Sequence, residues 1–176
     1  MKKIIIIGCP GSGKSTFARE LHRITHLPLV HLDLLFWNAD GTSVPREIFL
    51  LRLEDALQKD HWIIDGNYHT TMEQRLSACD TVIFLDYPQD VCLAGAKERR
   101  GKPRPDLPWI EPEGTQDEDE FFTYIRNYEQ ERRPGVFDLL ARYPQKNSII
   151  FTTRDQADAY LRKLTNHKED SHEFQS

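Results

Sequence analysis

The sequence lacks the features that would send it to a membrane, a secretory route or a nucleic acid. A bilayer span needs about 20 consecutive apolar residues, and the longest candidate, Ile4 to Ile7, ends at once in a glycine-rich turn. Two lysines precede that run, but it is too short for a signal peptide and reads as a buried parallel strand. Cysteine is scarce: Cys9, Cys79 and Cys92 form an odd set without close pairing, which argues against a disulfide framework or a cysteine zinc site and fits a reducing cytoplasm. Positive charge is not in surplus either. Lys and Arg number 23 against 28 Asp and Glu, a net charge of -5, so a broad electrostatic grip on nucleic acid phosphates is not expected.

What is present has the rhythm of a β/α domain. Of 176 residues, 39% are hydrophobic and 29% charged, the balance of a water-soluble globule, and the length suits one domain over residues 1–176. Short β-branched runs at 3–7, 28–31, 62–65, 81–86 and 148–152 predict five strands. Between them, apolar residues recur at three and four: Phe17, Leu21 and Ile24; Phe49, Leu53, Ala56 and Leu57; Ala157, Leu161 and Leu164. Such alternation predicts an α/β fold of three layers, a parallel sheet between helices.

Other signals are local. Thr70 with Glu73, and Thr153 with Gln156, have capping-box spacing. From Gly101 to Gly114, Pro103, Pro105, Pro108 and Pro112 forbid regular helix, and the acidic stretch Asp117 to Glu120 follows. This predicts an exposed, mobile insertion, a lid at about 99–134. Helical patterns resume through Phe121, Phe122, Ile125 and Tyr128, then through Phe137 and Leu140, and the polar tail after Thr165 is expected to fray.

The strongest signal is Gly8-Cys9-Pro10-Gly11-Ser12-Gly13-Lys14-Ser15, a match to G-x-x-x-x-G-K-[ST] directly after an apolar strand and before an amphipathic helix. Glycines let several N–H groups turn inward on one anion, and the helix adds its positive dipole end, so the natural guest is a polyphosphate. Lys14 would serve the β and γ phosphates, Ser15 would ligate magnesium and Thr16 would reach the α phosphate. Cys9, at a permissive loop position, reads as a packing residue.

These residues resemble the adenylate-kinase-like P-loop kinases. Within that group, His31-Leu32-Asp33 with Phe36-Trp37, the Asp65-Gly66-Asn67-Tyr68 turn, Arg100-Gly101 before Arg104-Pro105-Asp106, and Arg133-Pro134 are most similar to the bacterial DNA topology modulation, or FlaR-related, proteins. The resemblance implies a five-stranded P-loop NTPase fold with a small lid, ATP and Mg2+ as cofactors, and phosphoryl transfer to a small acceptor, a nucleotide, nucleoside or hydroxylated metabolite. It implies magnesium orientation by Asp65; the alternative is a turn role for the Asp-Gly pair. Asp33 would bind or deprotonate an acceptor hydroxyl, or else cap a helix. Arg99, Arg100, Arg104, Arg126, Arg132 and Arg133 have a lid composition, with Arg100 and Arg104 the expected contacts to the migrating phosphoryl group. Trp37, Phe36 and Tyr68 would wall the acceptor or belong to the core.

Two departures from the adenylate kinase pattern bear on substrate. Asp65-Gly66-Asn67-Tyr68-His69 lacks the arginine that grips an AMP phosphate, and another family arginine falls on Gly95. The lid also lacks the four cysteines some relatives use for zinc. The competing reading is a nucleotide-dependent regulator linked to DNA topology, for which Lys97 to Arg104 would be the basic patch. Plain ATP hydrolysis lacks an identifiable water-positioning group.

Overall fold

A computed structural model describes residues 1–111 and 116–173, without the side chains of 116, 117 and 167–173. The expected breaks at Pro112 and Gly114 and the side chain of Asp117 therefore lie outside the described residues.

Five parallel strands, β1 (Lys3–Gly8), β2 (Leu29–His31), β3 (Trp62–Asp65), β4 (Thr81–Leu85) and β5 (Asn147–Phe151), form one sheet in the order β2-β3-β1-β4-β5. Each agrees with its sequence-predicted range to within about a residue at either end, the usual uncertainty of element boundaries. Helices α1 (Lys14–Thr25), α2 (Leu32–Phe36), α3 (Arg46–Gln58), α4 (His69–Ala78), α5 (Gln89–Arg99), α6 (Gln116–Glu131), α7 (Arg133–Ala141) and α8 (Arg154–Glu173) connect and cover the strands. This is the three-layer P-loop fold with a parallel sheet between helices.

The period of two along β1 divides the core. Ile4 and Ile6 join one cluster with Phe17 and Leu21 of α1, Ile125 of α6 and Ala157 of α8. Ile5 and Ile7 point the other way, against Leu53 of α3, Leu76 of α4 and Val136 of α7. All four isoleucines are at most 1% exposed, and burying such a side chain contributes about 1.5–3 kcal/mol relative to leaving it in water. A four-residue apolar run is therefore what a strand covered on both faces requires.

Three local expectations are corrected. α4 starts at His69 behind Tyr68, with no side-chain cap, and Glu73 instead accepts hydrogen bonds from Arg142 and Tyr143. The Thr70 and Glu73 spacing is thus coincidental. At α8 the box is half made: Thr153 Oγ1 accepts from Gln156 N at 3.3 Å, while the Gln156 side chain accepts from Thr152 N rather than Thr153 N. Beyond Thr165, α8 continues to Glu173. Within the expected lid, α6 buries Phe122, Ile125 and Tyr128 in the core, so only the segment 100–111 overlies the sheet edge, and there Asp106 and Leu107 are buried rather than exposed.

Candidate active site

The carboxyl edge of the sheet is where the chemistry-bearing residues gather, as it is in open α/β sheets generally. β1 ends at Gly8, and α1 starts at Lys14 with Gly13 as its left-handed N-cap, φ 90°. Helix α5 lies directly against the intervening loop. A Cβ on Gly11 would stand 2.0 Å from the Cys92 carbonyl oxygen, and one on Gly95 would stand 2.3 Å from the Gly11 carbonyl oxygen. No arginine fits at position 95 in this packing. The space beside it is taken by Arg154, whose Nη2 lies 2.9 Å from where that Cβ would be.

Lys14 donates from Nζ to the carbonyls of Gly8 at 2.9 Å and Cys9 at 3.0 Å, leaving one of its three N–H donors for a guest. Burial lowers its pKa, with Asp65 acting in the opposite sense. Ser12 Oγ is buried without a hydrogen-bond partner, an orphan acceptor and donor at the base of the loop. Cys9 is 3% exposed and packs in the core. On the side of α1, a hollow of about 390 Å³ is lined by Lys14, Ser15, Thr16, Arg99, Arg104 and Arg154.

A second hollow of about 330 Å³ opens toward β2 and β3, and it shares Lys14, Ser15, Arg99 and Arg104 with the first. Asp33 and Asp65 line it. Asp33 does not cap α2, which has no side-chain cap; its Oδ1 accepts the Tyr68 hydroxyl at 2.8 Å. Burial raises the Asp33 pKa, and the Tyr68 hydrogen bond works against that rise. Asp65 is buried at the end of β3 and accepts from His31 Nδ1 at 2.7 Å, the ring nitrogen donating because a carboxylate only accepts.

Tyr68 itself has φ 34°, a left-handed conformation that costs a non-glycine residue about 1–3 kcal/mol. Arg75 holds it there. Fully buried in α4, Arg75 donates to the carbonyls of Gly66 at 2.8 Å, Asn67, and Tyr68 at 3.2 Å. Burial lowers the pKa of its guanidinium to about 10, where it remains charged at neutral pH. Nothing in the local sequence marks this residue, which sits mid-helix at a position the sequence analysis did not single out.

The segment 100–111 closes over the loop through ion pairs. Arg104 pairs with Asp106 and with Glu111 at 2.8 Å, and Arg99 pairs with Glu111 at 3.2 Å. Arg19 reaches Asp106 at 3.5 Å. Burial alone would raise the Asp106 pKa, but hydrogen bonds from Arg104 and Ser15 bring it down to about 2. The sequence singled out Arg100 beside Arg104. Arg100 lies instead over the rings of Phe121 and Phe122, at 4.8 and 5.8 Å, and it is Arg99 that lines both hollows. Arg133 makes a two-pronged pair with Asp86, both contacts 2.7 Å, on the far side of the loop. Of the aromatics, Trp37 and Tyr68 line the second hollow together with Trp109 and Phe121, whereas Phe36 packs behind them against Trp37, Phe49 and Tyr68.

Among the described residues no group of three His, Cys, Asp or Glu is arranged to hold a metal ion. Magnesium at a nucleotide site does not ask for one, since phosphates and waters supply most of its oxygens and the protein one or two. Ser15 and Asp65, both lining the second hollow beside Lys14, fit that sparse donor set.

Comparison with known proteins bears on the fold. No protein-family model matches the chain. A shikimate kinase of Clostridium botulinum is 42% identical over 59 residues, 34% of each chain, and an adenylate kinase of Thermosipho melanesiensis is 31% identical over 96 residues, 53% of this chain and 44% of the relative. The matches thus span a third to under a half of those relatives. The crystal structure of a shikimate kinase from Bacteroides thetaiotaomicron superposes with a TM-score of 0.60 at 21% identity, covering 94% of this chain and 97% of that one, and that from Aquifex aeolicus with 0.50 at 17% identity. No helix among the described residues is long and apolar enough to cross a membrane. The fold is that of the P-loop kinases.

Proposed function

We propose that this chain is an ATP- and magnesium-dependent kinase that passes the terminal phosphoryl group to the hydroxyl of a small acceptor. The observation that carries the reading is the meeting of two hollows at Lys14 and Ser15, one fronted by the phosphate loop and the other by Asp33. Phosphoryl transfer needs a donor and an acceptor brought in line with charge compensation between them, and little else from the protein.

In this reading the main-chain N–H groups of Gly11 and of Gly13 to Thr16, with the Lys14 ammonium, hold the triphosphate, while the N–H of Gly8 donates to Asn67 Oδ1 and that of Ser12 to the Cys9 carbonyl, both at 3.1 Å. Asp33, with Oδ1 fixed by Tyr68, offers Oδ2 to the acceptor hydroxyl and takes its proton as the oxygen bonds to the γ phosphorus and ADP departs. Burial keeps this carboxylate a better base than one in water. Ser15 and Asp65 would hold magnesium, whose charge would offset that of the phosphates; His31 would fix the orientation of Asp65. Arg99, Arg104 and Arg154 face the phosphates, and the segment 100–111 excludes water as a lid. The likeness to the DNA topology modulation group belongs to this reading too. A DNA-directed regulator draws on no feature of the crevice, and the net charge of -5 works against it.

The test is ADP formation with and without candidate acceptors in wild type and Asp33→Asn. Acceptor-dependent turnover that falls in the variant while Mg-ATP binding persists supports the reading; ADP formation indifferent to every acceptor and to Asp33 would refute it.

A further inference from the structure

The charges around the second hollow bear on what kind of acceptor can enter. Its lining contains three acids, Asp33, Asp65 and Glu111, and three cations, Lys14, Arg99 and Arg104. The cations are already engaged. Lys14 belongs to the phosphate loop, Arg104 is held by Asp106 and Glu111, and Arg99 by Glu111. The wall opposite the phosphate loop, from the ends of β2 and β3, supplies no lysine or arginine among the described residues that line it, and its one imidazole, His31, is bonded to Asp65. Two arginines outside its lining are bonded elsewhere: Arg75 donates to three main-chain carbonyls, and Arg52 donates to the Leu35 carbonyl at 3.0 Å. Residues 112–115, Pro-Glu-Gly-Thr, contain no lysine or arginine.

The same wall is rich in rings. Trp37, Tyr68, Trp109 and Phe121 all line the hollow. Trp37 and Trp109 meet edge to face at 4.9 Å between centroids, so a residue of the segment 36–44 and one of the segment 100–111 close a roof across the opening. Tryptophan faces attract flat rings by stacking and amines through their quadrupole, and they offer nothing to a carboxylate or phosphate.

From these two observations we infer that the acceptor is an alcohol with no acidic group, carrying a neutral ring or an amine that packs against the surface formed by Trp37 and Trp109. The inference rests on the phosphoryl-transfer reading and narrows it: an acceptor with a carboxylate or a phosphate of its own would be placed against Asp33 and Glu111, where Arg99 and Arg104 are shared between Glu111, Asp106 and the phosphates of the nucleotide. Glu111 is then a specificity residue, since it occupies the two arginines that would otherwise bind an acidic acceptor.

The experiment compares matched pairs at equal concentration with Mg-ATP: a nucleoside against its monophosphate, and an amino sugar against the corresponding uronic acid. The expected result is kcat/KM at least tenfold higher for the neutral or cationic member. Trp37→Ala and Trp109→Ala should each raise KM for it about tenfold with Mg-ATP affinity unchanged, and Glu111→Gln should narrow the gap by improving the acidic member. Preference for the acidic member overturns the inference and leaves the kinase reading standing. So does the absence of use of any neutral or cationic alcohol while Mg-ATP still binds in a Lys14-dependent way. Mg-ATP affinity unaltered by Lys14→Ala would instead remove the underlying reading.

Discussion

The phosphate loop and the acceptor wall face each other across one crevice, yet they are built by different means. The loop is nine consecutive residues, Gly8 to Thr16, and in the proposed reading its guest-binding atoms are mostly main-chain N–H groups at a helix start. The wall draws single side chains from the end of β2, the turn after β3, the segment 100–111 and α6. A site made of backbone is set by local conformation, whereas a site made of side chains depends on every element that carries one. Substitutions should therefore act on the loop through packing and on the wall through individual contacts.

The largest effect is expected on the wall. Asp33→Asn keeps the Tyr68 hydroxyl near a carbonyl oxygen but removes the base, so kcat should fall about 10²–10⁴-fold, the range for general acid–base groups. Mg-ATP affinity by titration calorimetry should stay within about a factor of two; a parallel loss of both would erase the division between loop and wall.

Arg75→Met tests whether the wall depends on a residue that touches no substrate. It would leave the Gly66, Asn67 and Tyr68 carbonyls without their donor, and each buried polar group left unpaired costs about 1–3 kcal/mol. Denaturant unfolding should show that loss, and the surviving enzyme should lose kcat/KM for the acceptor more than affinity for Mg-ATP. On the loop side, Gly95→Ala sets a Cβ 2.3 Å from the Gly11 oxygen, and overpacking of this kind costs about 1–3 kcal/mol. Here the calorimetric signature should be the reverse, weaker Mg-ATP binding with acceptor KM unchanged.

The smallest effect is a shift in pH dependence. Tyr68 lowers the Asp33 pKa against the rise caused by burial, so Tyr68→Phe should raise it further. Because the base must be ionised, the acidic limb of the kcat profile should move to higher pH, and the lost hydrogen bond should cost about 1 kcal/mol of stability. A limb that moves to lower pH would show that Asp33 is not the titrating group.

The same division explains what the sequence disclosed. The loop motif and the strands were legible because each is fixed by neighbours in the chain: a four-isoleucine run needs cover on both sides, and the glycines mark the turn that follows. The wall was legible only in part. Arg99 and Arg100 straddle the end of α5, where one residue of phase turns a side chain by about 100° about the helix axis, and the sequence pattern does not fix that phase. Trp109 lies in a proline-rich segment with no periodicity to place it. The His31 and Asp65 bond joins residues 34 apart that become neighbours only through the β2 and β3 register. Arg75 has the appearance of an ordinary helix-surface residue because its three acceptors lie in a turn whose course the sequence does not specify. Arg154 fills the space beside Gly95 only because α5 packs so closely on the loop.

All of this depends on Mg-ATP occupying the loop through Lys14. Titration calorimetry of Mg-ATP into wild type and Lys14→Ala, with folding of both checked by circular dichroism, tests it most directly. The account predicts affinity reduced about 10- to 100-fold in the variant, as for loss of a charge-assisted contact worth roughly 1.5–3 kcal/mol. Equal affinities in two folded proteins would contradict it.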